Sequence, residues 1–163
     1  MEYLQLFDEN KNIINEKIDR NLKKTLTGNK YFMIVLLFIE NENKFLLQKT
    51  SKSRHSEIAT TGGHVTYGDN GYITVIKEAK EELGIEIDKK LLKYIDTIIW
   101  GNCYIEIYYT KQIINIKDIN IDEEEVENVD YYSIDEINSL IKDDIFRKGN
   151  IEPFKKILEY RKR

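Results

Sequence analysis

Short apolar runs separated by polar turns dominate the first half of the chain. Leu4-Gln5-Leu6-Phe7 and Ile13 to Ile18 predict two short strands around the polar turn Asp8-Glu9-Asn10-Lys11. Tyr31 to Ile39 is a continuous apolar run of strand length, the mark of a central strand buried on both faces. Asn41-Glu42-Asn43 turns the chain into Lys44 to Lys49, which predicts a hairpin. Ser51 to Glu57 is polar and reads as a loop. Thr60-Thr61-Gly62-Gly63 reads as a tight turn, with a short segment, His64 to Tyr67, behind it.

From Asn70 to Leu83 the period becomes helical. Tyr72, Ile76, Ala79 and Leu83 recur at steps of four, three and four, with Asn70 as N-cap and Gly84 just past the end. Leu91 to Trp100 and Cys103 to Ile114 read as strands joined by Gly101-Asn102. An acidic stretch, Asp122 to Glu127, precedes a short strand, Val129 to Tyr132. Ser133-Ile134-Asp135-Glu136 fits a capping box opening a helix to about Lys142. A last amphipathic helix is predicted from near Pro153 to Tyr160. The pattern is that of one α/β domain over residues 1–163.

Composition narrows the function. The 163 residues carry 25 Lys+Arg against 29 Asp+Glu, a net charge of -4 that gives no electrostatic footprint for nucleic acid. A single cysteine, Cys103, rules out an internal disulfide framework and a multi-cysteine zinc site. The start, Met1-Glu2-Tyr3-Leu4-Gln5, lacks the basic and apolar regions of a signal peptide, and no apolar run is long enough to span a bilayer. A cytoplasmic protein without a membrane partner is expected. The abundance of Ile, Lys, Asn and Tyr reads as coding bias and carries no functional weight.

One helix offends local electrostatics. At about 100° per residue, Glu78, Glu81 and Glu82 fall within an arc of about 100°, roughly 140° from the apolar stripe. Glu78 and Glu82 are like charges at i,i+4, and Glu81 and Glu82 oppose the dipole in the last turn. The arc is either a solvated face, softened by Lys77 and Lys80, or a seat for a hard divalent cation, which wants carboxylate oxygens.

The preceding loop decides between them. Gly63 lies six residues before Asp69 and Asp69 eight before Lys77, and the segment closes Lys77-Glu78-Ala79-Lys80-Glu81-Glu82-Leu83-Gly84-Ile85. Residues 63–85 resemble the Nudix box: Gly, five residues, Glu, seven residues, Arg-Glu, an aliphatic, any residue, Glu-Glu, any residue, Gly, an aliphatic. Asp69 stands in place of the first Glu and Lys77 in place of the Arg. Outside the box, the N-terminal Leu6-Phe7-Asp8-Glu9 to Arg20 pattern, Phe45-Leu46-Leu47-Gln48-Lys49 leading to Gly62-Gly63-His64-Val65, and Glu125 to Glu136 resemble the branch related to isopentenyl diphosphate isomerase.

The resemblance implies an α/β/α sandwich around a mixed β-sheet and hydrolysis of a nucleoside diphosphate linked to another moiety. It implies Mg²⁺, or Mn²⁺ in its place, on Glu78, Glu81, Glu82 and the carbonyl of Gly63. Glu78 also orients or deprotonates water, and Lys77 takes the place of the Arg that orients the carboxylates. Glu125, or a neighbour in the acidic run, is the candidate for a further metal ligand from outside the box. Gly63, His64 and Arg54 are candidates for substrate binding, the last against a solvent-facing alternative. Cys103 reads as a core residue, and Trp100, Tyr104, Tyr108 and Tyr109 as either core or base-stacking rings.

Two other readings stand beside hydrolysis. Lys77 keeps the charge of Arg but loses its planar fork, and Asp69 is shorter by one methylene, which leaves room for an impaired, nucleotide-binding or regulatory protein. An isoprenoid diphosphate isomerase is disfavoured because Thr50 to Ser56 holds no cysteine where that enzyme's motif would place one. The partner expected is a small nucleoside diphosphate derivative, and a homodimer is in keeping with the family.

Overall fold

A computed structural model describes residues 1–52 and 56–163. The apolar run becomes strand β3 (Phe32–Asn41), the centre of a mixed seven-stranded sheet. Around it, in chain order, lie β1 (Tyr3–Phe7), β2 (Ile13–Asp19), β4 (Lys44–Thr50), β5 (Ile58–Ala59), β6 (Thr61–His64), β7 (Lys93–Trp100), β8 (Cys103–Lys111) and β9 (Val126–Ser133). The helices are α1 (Gly71–Leu83), α2 (Ile134–Lys142) and α3 (Ile151–Arg161). Only β1 and β2 stand apart, as a two-stranded antiparallel sheet.

The side-chain alternation of β3 builds two cores. Phe32, Leu36 and Phe38 join Ile137 of α2 and Phe154 and Ile157 of α3, whereas Met33, Val35, Leu37 and Ile39 join Val75, Ala79 and Leu83 of α1. With neither face wet, the strand needs no polar alternation. This is the α/β/α sandwich expected. β8 pairs with β3 in parallel from Phe32↔Cys103 to Glu40↔Lys111, and the other pairs are antiparallel.

The β3–β4 hairpin forms and then forks. Glu42 and Asn43 both have positive φ (51° and 65°), the backbone of a two-residue hairpin turn. Pairing is confined to Glu40↔Phe45 and Asn41↔Lys44. Beyond them β4 turns to β9 and β5, and β6 takes over the edge of β3 from Leu37↔Thr61 to Ile34↔His64.

The tight turn expected at Thr60–Gly63 is therefore extended strand, and neither Gly62 nor Gly63 has positive φ. These glycines serve close approach instead. A Cβ on Gly62 would strike the Val35 carbonyl, and one on Gly63 would strike the Glu78 carboxylate.

The capped ends of α1 are as expected: Asn70 accepts from Ile73 N at 2.9 Å, and Gly84 is left-handed at φ 65°. Its rotation about its own axis is not. Tyr72 is exposed and Ile76 only partly buried, while Thr74, Val75, Ala79, Glu82 and Leu83 face inward. The acidic arc and the buried face thus overlap at Glu82. Ser133 and Glu136 complete both bonds of the capping box on α2. Tyr104, Tyr108 and Tyr109 are core residues, whereas Trp100 is exposed. No described helix is long and apolar enough to cross a membrane.

Candidate active site

The fork between β4 and β6 leaves a cavity of about 340 Å³ with α1 across it. Glu78, Glu81 and Glu82 enter from the helix, Glu125 from the turn before β9, Gln48 and Thr50 from β4, and Gly62 and Gly63 from β6. The four carboxylates and the glycine singled out in the sequence are thus brought to one place. Backbone bonds hold Glu125 there: its N–H donates to Asp122 O (3.0 Å) and its carbonyl accepts from Ser51 N (3.1 Å).

Glu82 is fixed most firmly. It is 6% exposed; its Oε1 accepts from Thr61 Oγ1 and from Gly62 N at 3.0 Å, and its Oε2 accepts from Gln48 Nε2 at 3.1 Å. Burial pushes its carboxyl above the usual range, and the three hydrogen bonds oppose that shift. The bond to Glu82 also fixes the Gln48 amide, since the reversed amide would set an oxygen against a carboxylate. Among the described residues, Gln48 Oε1 is consequently left buried with no hydrogen-bond partner.

Glu78 is partly buried beside Gly63, whose missing side chain leaves room for it. Burial first, then the carboxylates of Glu82, Glu81 and Glu125, push its carboxyl up to about 8. Among the described residues, no cationic side chain lies within salt-bridge distance of Glu78, Glu81 or Glu82.

This donor set suits a hard divalent cation: crowded carboxylate oxygens, one orphaned amide oxygen, and a surplus of negative charge. Among the described residues no three acidic, histidine or cysteine groups are already drawn to one coordination point. Like charges hold such groups apart, and a cation is what would draw them in.

Lys77 does not line the cavity. Its Nζ pairs with Asp69 Oδ2 at 3.1 Å, and the same oxygen accepts from Thr66 Oγ1 at 3.1 Å. That bond, foremost, holds the ammonium pKa above its ordinary value. The shortened acid therefore still reaches the shortened base, and together they tie the 66–69 loop to α1. His64 does line the cavity; its Nε2 accepts from Lys23 Nζ at 2.8 Å, and its ring stacks on Phe32 at 5.9 Å. Arg54 lies outside the described residues.

Four further residues were not anticipated: Gln48, Thr61, Arg20 and Arg147. The first two hold Glu82, and the two arginines line the cavity. Gln48 had a signal, a lone amide after Phe45-Leu46-Leu47 in an apolar strand. The arginines had none, because tertiary packing alone brings them here from distant segments.

The NUDIX domain family model matches residues 30–154. No curated protein sequence matches the chain. Among solved structures, DR0079 from Deinococcus radiodurans superposes with a TM-score of 0.72 at 18% identity, over 92% of this chain and 94% of that one. The NUDIX domain of Shewanella oneidensis NrtR, solved with ADP ribose, gives 0.65 at 13% identity over 88% and 93%. A C. elegans Ap4A hydrolase binary complex gives 0.57 at 16% identity over 78% and 96%. At these identities the likeness is one of fold.

Proposed function

This chain belongs to the NUDIX domain family; we propose that it is a hydrolase that cleaves the pyrophosphate bond of a nucleoside diphosphate derivative with Mg²⁺, or Mn²⁺, held at the acidic cavity. The observation that carries this reading is the convergence of Glu78, Glu81, Glu82 and Glu125 on one cavity, with no cationic side chain among the described residues pairing the three helix carboxylates. The family match does not single out the isomerase-related branch.

Glu78, Glu81, Glu82 and Glu125 would hold the metal, with the Gly63 carbonyl beside them. When bound, it supplies charge neutralisation on the diphosphate oxygens and a more acidic water. The protein's own contribution is positional. Thr61, Gln48 and the Gly62 N–H lock the Glu82 carboxylate, so no reorganisation is needed there when the anionic substrate arrives. Glu78, partly buried and without a cationic partner among the described residues, is the group placed to take a proton from the attacking water. Lys77 acts through the Asp69 pair as a positioning residue.

Similarity to proteins solved with ADP ribose or active on Ap4A supports a nucleotide with a phosphate chain as the substrate. The impaired-site alternative rested on Asp69 and Lys77, and their intact ion pair argues for a working substitution. Exchanging both, Lys77→Arg with Asp69→Glu, is therefore expected to change kcat/KM by less than about fivefold, since an exposed pair contributes ~1 kcal/mol or less. A rise of tenfold or more would show a weakened site. The isomerase reading lacks its thiol: Cys103 is buried, and burial pushes it up to about 12.

The direct test is product release from nucleoside triphosphates, dinucleoside polyphosphates, nucleotide sugars, ADP-ribose and isopentenyl diphosphate with Mg²⁺, Mn²⁺ or EDTA, beside Glu82→Gln. Metal-dependent cleavage that disappears in Glu82→Gln is expected. Metal and nucleotide binding without turnover on any substrate would overturn hydrolysis.

A further inference from the structure

Next to the acidic cavity, and sharing part of its lining, is a cleft of about 1200 Å³ whose charge has the opposite sign. Arg20, His64 and Arg147 line both spaces, so they stand at the border. Lys23, Lys24 and Lys148 line only the larger one. In a chain of net charge -4, beside a cluster of carboxylates, such a concentration of cations is a local departure.

The two arginines are partly committed. Arg20 Nη1 donates to Glu2 Oε2 at 2.8 Å and Arg147 Nε to Glu57 Oε2 at 2.6 Å. Each uses one nitrogen in that bond, so the rest of each guanidinium fork is available to an anion. Lys23 is different. It is partly buried, and its Nζ donates to His64 Nε2 at 2.8 Å and lies 5.4 Å from the Phe32 ring centroid. Among the described residues no carboxylate lies within salt-bridge distance of it. Burial, then Arg20 and Lys24, draw its pKa below the ordinary lysine value. Glu57 is already spent on Arg147, so Asp144 is the one lining carboxylate left against Lys23, Lys24 and Lys148 among the described residues. Two positive charges stay uncompensated, which matches a phosphate group.

We propose that this cleft, with Lys23 beside His64 and with Arg20 and Arg147 at the border it shares with the acidic cavity, holds a phosphate of the substrate beyond the diphosphate seated at that cavity. The preferred substrates are then nucleoside polyphosphates with three or more phosphates, ahead of diphosphates whose second half is neutral. The assignment rests on the hydrolase reading for the position of the scissile bond, but the anion site stands on its own geometry. The shared lining matters here: a chain of phosphates leaving the carboxylates reaches the border of Arg20, His64 and Arg147, where Lys23 Nζ lies 2.8 Å from His64 Nε2. Trp100, exposed along the same cleft, supplies aromatic surface for the base.

The test separates the two readings. Inorganic tripolyphosphate is titrated calorimetrically into the full chain in EDTA, where the acidic cavity repels anions and the cationic cleft alone attracts them. Saturable binding is expected, weakened about tenfold or more in Lys23→Gln and restored in Lys23→Arg, because a charge-assisted hydrogen bond to a partly buried ammonium is lost in the first and kept in the second. With Mg²⁺ present, the ratio of kcat/KM for ATP to that for ADP-ribose is expected to fall about tenfold in Lys23→Gln. No tripolyphosphate binding, or equal affinity in wild type and Lys23→Gln, would overturn the site. An ATP to ADP-ribose ratio that does not move would overturn the substrate preference and assign the cleft to inorganic polyphosphate. Intact tripolyphosphate binding with no hydrolysis of any nucleotide would instead overturn the hydrolase reading and leave the anion site standing.

Discussion

Replacing Glu78 with Gln is expected to lower kcat for pyrophosphate cleavage by about 10²- to 10⁴-fold, the range for a lost general base, and at the same time to stabilise the metal-free protein at alkaline pH. Both effects come from one side chain. Glu78 shares a cavity with four other carboxylates, Glu2, Glu81, Glu82 and Glu125, and has no cationic partner among the described residues. The amide keeps the shape and removes the charge, so catalysis loses its proton acceptor while the empty site loses a repulsion. The folded carboxyl titrates at about 8, against an ordinary value of 4.5 for the unfolded chain. Between those values the folded state holds a proton that the unfolded state has released. Stability of the metal-free protein therefore falls as pH rises through that window. Glu82, shifted in the same direction, adds to the slope. Thermal melts in EDTA from about pH 5 to about pH 9 are expected to show a falling Tm for wild type and a shallower fall for Glu78→Gln. Equal slopes would show that Glu78 does not carry the buried charge, whatever its role in turnover.

Phe154→Ala is expected to cost about 3–5 kcal/mol, a large share of the roughly 5–15 kcal/mol that holds a domain of this size together. Phe154 is 1% exposed, and its ring meets those of Phe45, Phe38 and Phe146 at 5.3, 6.0 and 6.1 Å. These rings come from β4, β3, the segment before α3 and α3 itself, so truncation opens a cavity where four segments meet. Urea unfolding reads the loss as a lower midpoint at constant slope. A cost below about 1.5 kcal/mol would mean that the α3 face collapses around the gap, and that the cluster is less rigid than its burial implies.

What the sequence made legible were the local and periodic features. The apolar run of β3 announced a strand covered on both faces, Asn70 and Gly84 marked the ends of α1, and Ser133 with Glu136 opened α2. The family was legible in the spacing from Gly63 to Ile85, since it is carried by residues fixed along one loop and one helix. Failures arose where distant segments meet. Gly62 and Gly63 signalled a turn because glycine usually supplies backbone freedom; here the strand is extended and the missing Cβ makes room for Val35 and Glu78. Periodicity placed the carboxylates away from the core, but Thr61 and Gln48 offer Glu82 hydrogen bonds that let its carboxylate lie on the buried face. Neither donor can be linked to the helix until β4 and β6 part company. Arg20, Lys23 and Arg147 were silent for the same reason: a lysine-rich chain gives no sign of which cations share a cleft.

The most direct measurement is Mn²⁺ binding to the metal-free protein, followed by the resonance signal of the free ion, in wild type, Glu78→Gln and Glu82→Gln. Saturable binding is expected in wild type, displaced by Mg²⁺ and weakened about tenfold or more in each variant. Absence of saturable binding, or equal affinity in all three proteins, would contradict the assignment of the acidic cavity as the metal site and with it the mechanism built there.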